Sequence, residues 1–282
     1  MAKETRTVCF DADLKIEAYR FFGIMQKFPN HFHDFYVIGC IEKGKRYMQC
    51  KNQEYIVHTG DVVVFNPKDV HTCEPYDSGA MDYRSIHIPP ETMEKTVLEI
   101  TGKAYLPRFS KAMLPGSELA APILELYDRV AAETKDFKKE ELFLLLIGQL
   151  IAEYDAPVSF MDADQDFGFD AVCKYLEEHY TAPVTLDEIS SLAGLSKYHF
   201  LRCFTRQKGI TPYSYLEAVR IGKAKTLLEK GTPPIETALL TGFHDQSHFT
   251  NFFKKLIGVT PKQYMRIFTK EKETMEEKEN LA

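Results

Sequence analysis

SKYHFLRCFTRQKGITPYSY, residues 196–215, returns forty-nine positions later as DQSHFTNFFKKLIGVTPKQY, residues 245–264. His199, Phe200, Phe204, Gly209, Thr211, Pro212 and Tyr215 recur as His248, Phe249, Phe253, Gly258, Thr260, Pro261 and Tyr264 at that constant offset. Each copy reads as helix, stop, helix start. Ser196 and Asp245 are N-cap residue types, whose side-chain oxygen accepts from first-turn amides that have no partner inside the helix. Gly209 and Gly258 sit where a helix stops in left-handed geometry, and the Thr-Pro that follows supplies a second cap with proline at the first helical position. Upstream, Thr185-Leu-Asp-Glu188 is a capping box opening a short helix through Leu192, and Gly194 gives the tight turn into the next one. Gly242 takes that part in the second copy. Phe200, Cys203 and Phe204, matched by Phe249, Phe252 and Phe253, fall at i, i+3, i+4 and face a core. Lys197, Tyr198, Leu201, Arg202 and Thr205 are then expected to face outward. Two helix-turn-helix units on one chain point to a protein that reads DNA.

Charge is distributed accordingly. Over residues 1–168 Lys and Arg number 19 against 27 Asp and Glu; over 169–270 they number 14 against 9; in the last twelve residues 2 against 5. The basic part is the repeat-bearing part, so the formal charge of -6 is no argument against a polyanionic partner. Phosphate binding needs a local cationic face, and an acidic remainder limits adhesion elsewhere.

Six cysteines without a C-x-x-C pair, and no signal peptide at the start, fit a reducing cytoplasmic setting. The longest apolar run, Leu142 to Ile147, is far short of the roughly 18 residues of a membrane span, so no membrane association is expected. Residues 269–282 are acidic, lack an apolar stripe and are expected to be a disordered tail.

The first ninety residues are short β-type runs, FYVIGCI, KRYMQC, EYIV, DVVVFN and DYRSIHI, punctuated by EKGK, KNQ, HTG and NPKD. They read as a small all-β barrel or sandwich. Three helical patterns follow: PPETMEKTVLEIT, SELAAPILELYDRVAAE and KKEELFLLLIGQLIAEY. The last is apolar nearly all round and must be covered on more than one face. A partner subunit and a wholly intrachain bundle both satisfy that, and the homodimer is the favoured reading. Asp162-Ala-Asp-Gln-Asp166 with Phe167-Gly168 reads as a linker. The expected architecture is therefore α+β and multidomain: a β domain over 1–110, a helical dimerisation segment over 111–160, a linker over 161–168 and an all-α domain over 169–268 whose two units are joined by a long helix.

The last hundred residues resemble the DNA-binding domain of the AraC/XylS family of bacterial regulators. The stretch GFHDQSHFTNFFKKLIGVTPKQYMR, Gly242 to Arg266, carries that family's pattern nearly complete, and LSKYHFLRCFTRQKGITPYSY fits it more loosely. The N-terminal part is similar to the family's sensor domain, a cupin barrel with dimerising helices, on the strength of His31-Phe-His33, Gly44, Gly60-Asp61, Pro67 and His71. The resemblance implies that both recognition helices enter successive major grooves, with a helix from about Pro212 to Leu228 holding them one turn of DNA apart, about 34 Å. It places the base-reading positions on Tyr198, Leu201 and Arg202 in the first copy and on Gln246, Ser247, His248, Thr250 and Asn251 in the second. Arg202 suits guanine, Gln246 or Asn251 suits adenine, and Leu201 offers only apolar contact. Lys197 and Lys254 complete the expected DNA-contacting set, Lys254 with Lys255 as phosphate or solvated residues, while His248 has the alternative of a packed residue beside Phe249.

His31 and His33, two apart on one strand, point to one barrel face, and in a cupin His71 approaches them. Three imidazoles suit a divalent metal, contact with a small effector, or structural hydrogen bonding. Cupin enzymes add a glutamate soon after the H-x-H, but here those positions read Asp34 to Ile38 and the nearest glutamate is Glu42. The expectation is a non-enzymatic regulator with no metal or cofactor. Its partners would be double-stranded operator DNA, an unidentified effector held by His31, His33 and His71, a second subunit and RNA polymerase. A constitutive DNA binder with a purely dimerising barrel is the alternative, and a cupin enzyme fused to DNA-binding units a further one. Arg84 and His87 have opposite parity on their strand, so at most one faces the barrel interior.

Overall fold

The computed structural model describes residues 4–51, 53–155, 168–257, 259–266 and 268. The chain divides into two compact units near residue 164, and each is described by itself. The linker, apart from Gly168, and the whole acidic tail lie outside the described residues, as does Gly258.

The N-terminal unit is a two-sheet barrel. Its larger sheet orders β1 (Thr5–Asp11), β2 (Ile16–Ile24), β9 (Met81–Ile88), β4 (Tyr36–Lys43), β7 (Val62–Phe65) and β10 (Met113–Leu114). The smaller orders β3 (Phe28–His31), β8 (His71–Pro75), β5 (Arg46–Cys50) and β6 (Gln53–Val57). The pairings between these strands are antiparallel. Alternation sets what each face meets. On β9, Met81, Tyr83 and His87 line the interior. Arg84 turns the other way to Glu42, 2.6 Å, and to Asp128, 2.5 Å. The parity argument holds, with His87 as the inward residue. Strand β4 is buried from Tyr36 to Ile41 because Val37 and Ile41 line the interior while the strand's other face lies under α2 (Ala120–Ala131). Gly39 is needed there: the Tyr83 ring crosses the space a Cβ would fill.

Helices α1 (Pro90–Thr101) and α3 (Lys138–Tyr154) complete this unit. Strand β10 falls inside the segment that the sequence pattern assigned to helices from residue 111. Helix α3 buries Leu142, Phe143, Leu144, Leu146, Ile147, Leu150 and Ile151 and packs on α1 and α2. Lys139, also buried, sits on Asp11 at 2.5 Å and Asp13 at 3.3 Å.

The C-terminal unit is helical: α4 (Asp170–Glu178), α5 (Leu186–Leu192), α6 (Lys197–Lys208), α7 (Pro212–Glu229), α8 (Pro234–Leu240) and α9 (Gln246–Ile257). The punctuation acts as the sequence indicates. Thr185 and Glu188 exchange both capping-box hydrogen bonds, Gly194, Gly209 and Gly242 have φ of 67°, 73° and 78°, and Thr211 caps α7 by accepting from Ser214 N. Asp245 Oδ1 accepts from His248 N at 2.7 Å to open α9. The internal repeat extends to packing. Phe204 meets Tyr215 edge-on at 5.9 Å and Phe253 meets Tyr264 at 5.5 Å. The two tyrosine hydroxyls then donate to Glu177 and Glu229, each at 2.6 Å. Helix α7 packs on both α4 and α8, and at 1.5 Å per residue it is a strut about 27 Å long.

Candidate functional site

The barrel holds a cavity of about 330 Å³, within the range of small-molecule sites. Its middle is apolar, with Phe21, Phe28, Val37, Met48, Val63 and Tyr83 among the lining residues. One end is built of histidines. Strand β3 ends on His31, His33 precedes β4, and His71 opens β8 opposite His31 in the strand register. The His31 and His71 rings lie 4.3 Å apart, His31 and His33 4.9 Å, and His33 and His71 5.2 Å. The structure thus brings together all three residues singled out in the sequence. His87 is a fourth, 6.0 Å from His33, stacked at 3.9 Å on Tyr19 and at 4.9 Å on Phe35. Its inward position needed the β9 register, which the sequence pattern left open.

Local contacts fix what these rings present. Carbonyl oxygens of Pro29 and Asp69 stand 2.7 and 2.9 Å from Nδ1 of His31 and His71. Accepting there places the proton on Nδ1 and leaves the Nε2 lone pair available. Burial holds His71 at about 4, against a usual value of 6.5, and His87 at about 3. His33 is lowered by the same cause. His33, His71 and His87 are therefore neutral at pH 7, acceptors for a hydroxyl or amide donor. A ring nitrogen of each of His31, His33 and His71 lies within 4.8 Å of those of the other two, looser than the ~3.3 Å spacing implied by tetrahedral metal–nitrogen bonds of about 2.0 Å. Glu42, the nearest glutamate after the H-x-H, is held by Arg84 and adds no ligand.

The opposite end holds Arg46, which the sequence reading passed over. Residues Arg46, Met48 and Cys50 alternate inward along β5, and this alternation with two apolar residues is the signal that could have found it. The guanidinium reaches across the interior to donate to the carbonyls of Ile24 and Gln26.

In the helical unit, α9 presents one continuous polar face. At 100° per residue Gln246, Ser247, Thr250, Asn251 and Lys254 share a single arc. All are exposed except Thr250, which is half-buried. Phe249 and Phe253 lie off that arc, fully buried. His248 leaves the expected reading face: its Nε2 lies 3.5 Å from Glu217 Oε1 and its ring meets Phe243 at 5.6 Å. It belongs with the packed residues.

Helix α6 departs further. Leu201 is 0% exposed, against the expectation that it faces outward, and is not offered to a ligand in this structure. The i, i+3, i+4 stripe was too narrow: Phe200, Leu201, Cys203 and Phe204 are all buried, and a leucine gains more from leaving water than from one contact to a thymine methyl. Lys197, Arg202 and Thr205 are half-buried. Arg206, one turn beyond Arg202 and exposed, joins it on the polar side; the i, i+4 spacing of two arginines was the signal for it.

Comparison with known proteins bears on both units. Residues 14–147 match the AraC-like ligand binding domain and 189–267 a helix-turn-helix domain. YbfI of Bacillus subtilis, described as an HTH-type transcriptional regulator, is 55% identical over 96% of this chain and 99% of its own length. The chain belongs to the AraC family of transcriptional regulators. The HTH-type transcriptional activator RhaS of Klebsiella pneumoniae is 22% identical over 83% of this chain and 86% of its own. A crystal structure of an apo ToxT variant from Vibrio cholerae covers 90% of this chain and 97% of its own at 17% identity and a TM-score of 0.37. The AraC-family regulator thus joins a ligand-binding barrel to a helix-turn-helix DNA-binding domain, and the families it matches are those of regulators and not of enzymes. Among the described residues no helix is long and apolar enough to cross a membrane.

Proposed function

We propose that this regulator is an effector-responsive activator that binds operator DNA as a dimer, through two helix-turn-helix units per subunit. The observation that carries the reading is the barrel cavity: an apolar volume with His31, His33 and His71 at one end is built to hold a small molecule, and a purely dimerising barrel has no use for it. A ligand favouring one placement of the DNA-binding domains shifts DNA affinity, and DNA shifts ligand affinity by the same factor. On the DNA side the reading rests on the α9 face, where Gln246 and Asn251 suit adenine and Lys254 suits phosphate, with Arg202 as the base contact from α6. Activation implies contact with RNA polymerase, and operator DNA places the regulator in the cytoplasm. The test is footprinting and affinity measurement on a site selected from random DNA by the full chain, with and without metabolites that raise its melting temperature. Two half-sites and an affinity that moves with one such compound are expected. A DNA affinity indifferent to every compound bound by the barrel leaves only the constitutive binder.

A further inference from the structure

Arg46 lines the cavity and is 0% exposed. Nη1 donates to Gln26 O at 3.3 Å and Nη2 to Ile24 O, while Nε has no hydrogen-bond partner. Three other buried or half-buried cations of this unit are each paired with two carboxylates. Arg84 lies between Glu42 and Asp128, Arg129 between Glu125 and Asp136, and Lys139 between Asp11 and Asp13. Among the described residues no carboxylate comes within ion-pair distance of Arg46; Cys73 and Asp77 act on it only through space. A guanidinium keeps its proton inside proteins, so its charge has been withdrawn from water without a counter-ion, an arrangement with a large desolvation penalty.

The rest of the lining sharpens the point. Among the described residues it contains no Asp, Glu or Lys, and Arg46 is the one permanently charged side chain among them. Register separates it from the histidines: Arg46 pairs with Pro75 at the end of β8, and His71 opens that strand. Four steps of β-strand span about 13 Å. Between the two ends lie Phe28, Met48, Cys73 and Tyr83. A cation entering this cavity meets a positive field with nothing to offset it, whereas an anion supplies what Arg46 lacks.

We propose that the cavity takes a small organic carboxylate with an apolar body, its carboxylate at the Arg46 end and its tail directed towards the imidazole end built by His31, His33 and His71. The guanidinium has five N–H groups, of which the carbonyls of Ile24 and Gln26 use two; Nε and a remaining Nη proton are the donors left for the carboxylate. This assignment rests on the sensor reading of the barrel and names the chemistry of its ligand.

The experiment is a thermal-shift titration of the full chain with hexanoate, 4-methylpentanoate and 3-phenylpropionate, each against its own primary amide. Acids that bind the native state raise the melting temperature saturably. At least one acid is expected to do so, with its neutral amide bound about tenfold more weakly or worse. Arg46→Met should abolish the response to the acid at an unchanged or higher resting melting temperature, since an unpaired buried charge is removed. The assignment is overturned if amides match their acids, if Arg46→Met responds like the parent, if all three acids are silent, or if Zn²⁺ alone raises the melting temperature. Should Arg46→Met fail to fold, the acid and amide pairs on the parent protein decide the matter without it. DNA affinity separates this assignment from the reading beneath it. A neutral metabolite that binds the barrel and moves DNA affinity sinks the carboxylate and leaves the sensor standing. An acid that needs Arg46 yet leaves DNA affinity untouched does the reverse.

Discussion

Helices α6 and α9 hold the same place in two copies of one motif, yet they present different surfaces. On α9 the arc from Gln246 to Lys254 is polar and, but for half-buried Thr250, exposed. The position of α6 that matches Thr250 is Leu201, and it is buried. The shared residues, from the phenylalanines to the glycine stop and the Thr-Pro cap, fix the backbone of both units. They say nothing about the reading face, because the residues that recur are those the fold needs. A repeated helix-turn-helix is thus evidence for two docking frames, and the base-reading chemistry has to be taken from each helix separately.

The comparison breaks most readily at the matched pair Leu201 and Thr250. Leu201→Ala should cost roughly 2–5 kcal/mol of stability by leaving a cavity in the core, while Thr250→Ala should stay within about 0.5 kcal/mol. Equal shifts in chemical denaturation of the two full-length variants would show that the helices are alike after all. Next in size are the base contacts. Gln246→Ala or Asn251→Ala on α9, and Arg202→Ala on α6, should each lose about 1–3 kcal/mol of affinity for a selected site and relax preference at one base pair. If Arg202→Ala weakens all sequences uniformly, α6 grips phosphate and base reading belongs to α9 alone.

A smaller effect tests whether the frames themselves are equivalent. Asp245→Ala removes the cap of α9 and should cost about 1 kcal/mol of stability, within the usual range of about 0.5–2. The loss should appear in thermal unfolding, and Asn in place of Asp should restore most of it. The smallest effect concerns Lys254. Its replacement by Ala should lower affinity evenly across sequences and reduce the slope of log affinity against log salt by about one. A slope unchanged by the substitution would remove Lys254 from the phosphate contacts.

Much of the helical domain was legible because capping and stop chemistry are local. A threonine followed three residues later by glutamate, or a glycine ahead of Thr-Pro, specifies its turn without help from the rest of the chain. His248 was less legible, since its choice between base and core depends on Glu217 of α7, thirty-one residues away. In the barrel the three histidines were readable as a group, His31 and His33 by parity and His71 by resemblance. His87 was not, because a slip of one residue in strand register reverses every side chain. Arg46, in a KGKR run that reads as a solvated turn, was missed for a related reason: only pairing of β5 with both β6 and β8 turns its charge inward.

The sequence by itself determined the two helix-turn-helix frames, the division between an acidic β-rich part and a basic helical part, and the family. Those features rest on short-range chemistry, on composition and on a motif long enough to be specific. The tertiary structure alone decided which faces those frames expose, and that a cationic end and an imidazole end confront each other across one apolar cavity. Burial and long-range pairing are properties of the packed chain, and whether a given side chain meets water, a carboxylate or an empty cavity is settled only when distant strands and helices close around it.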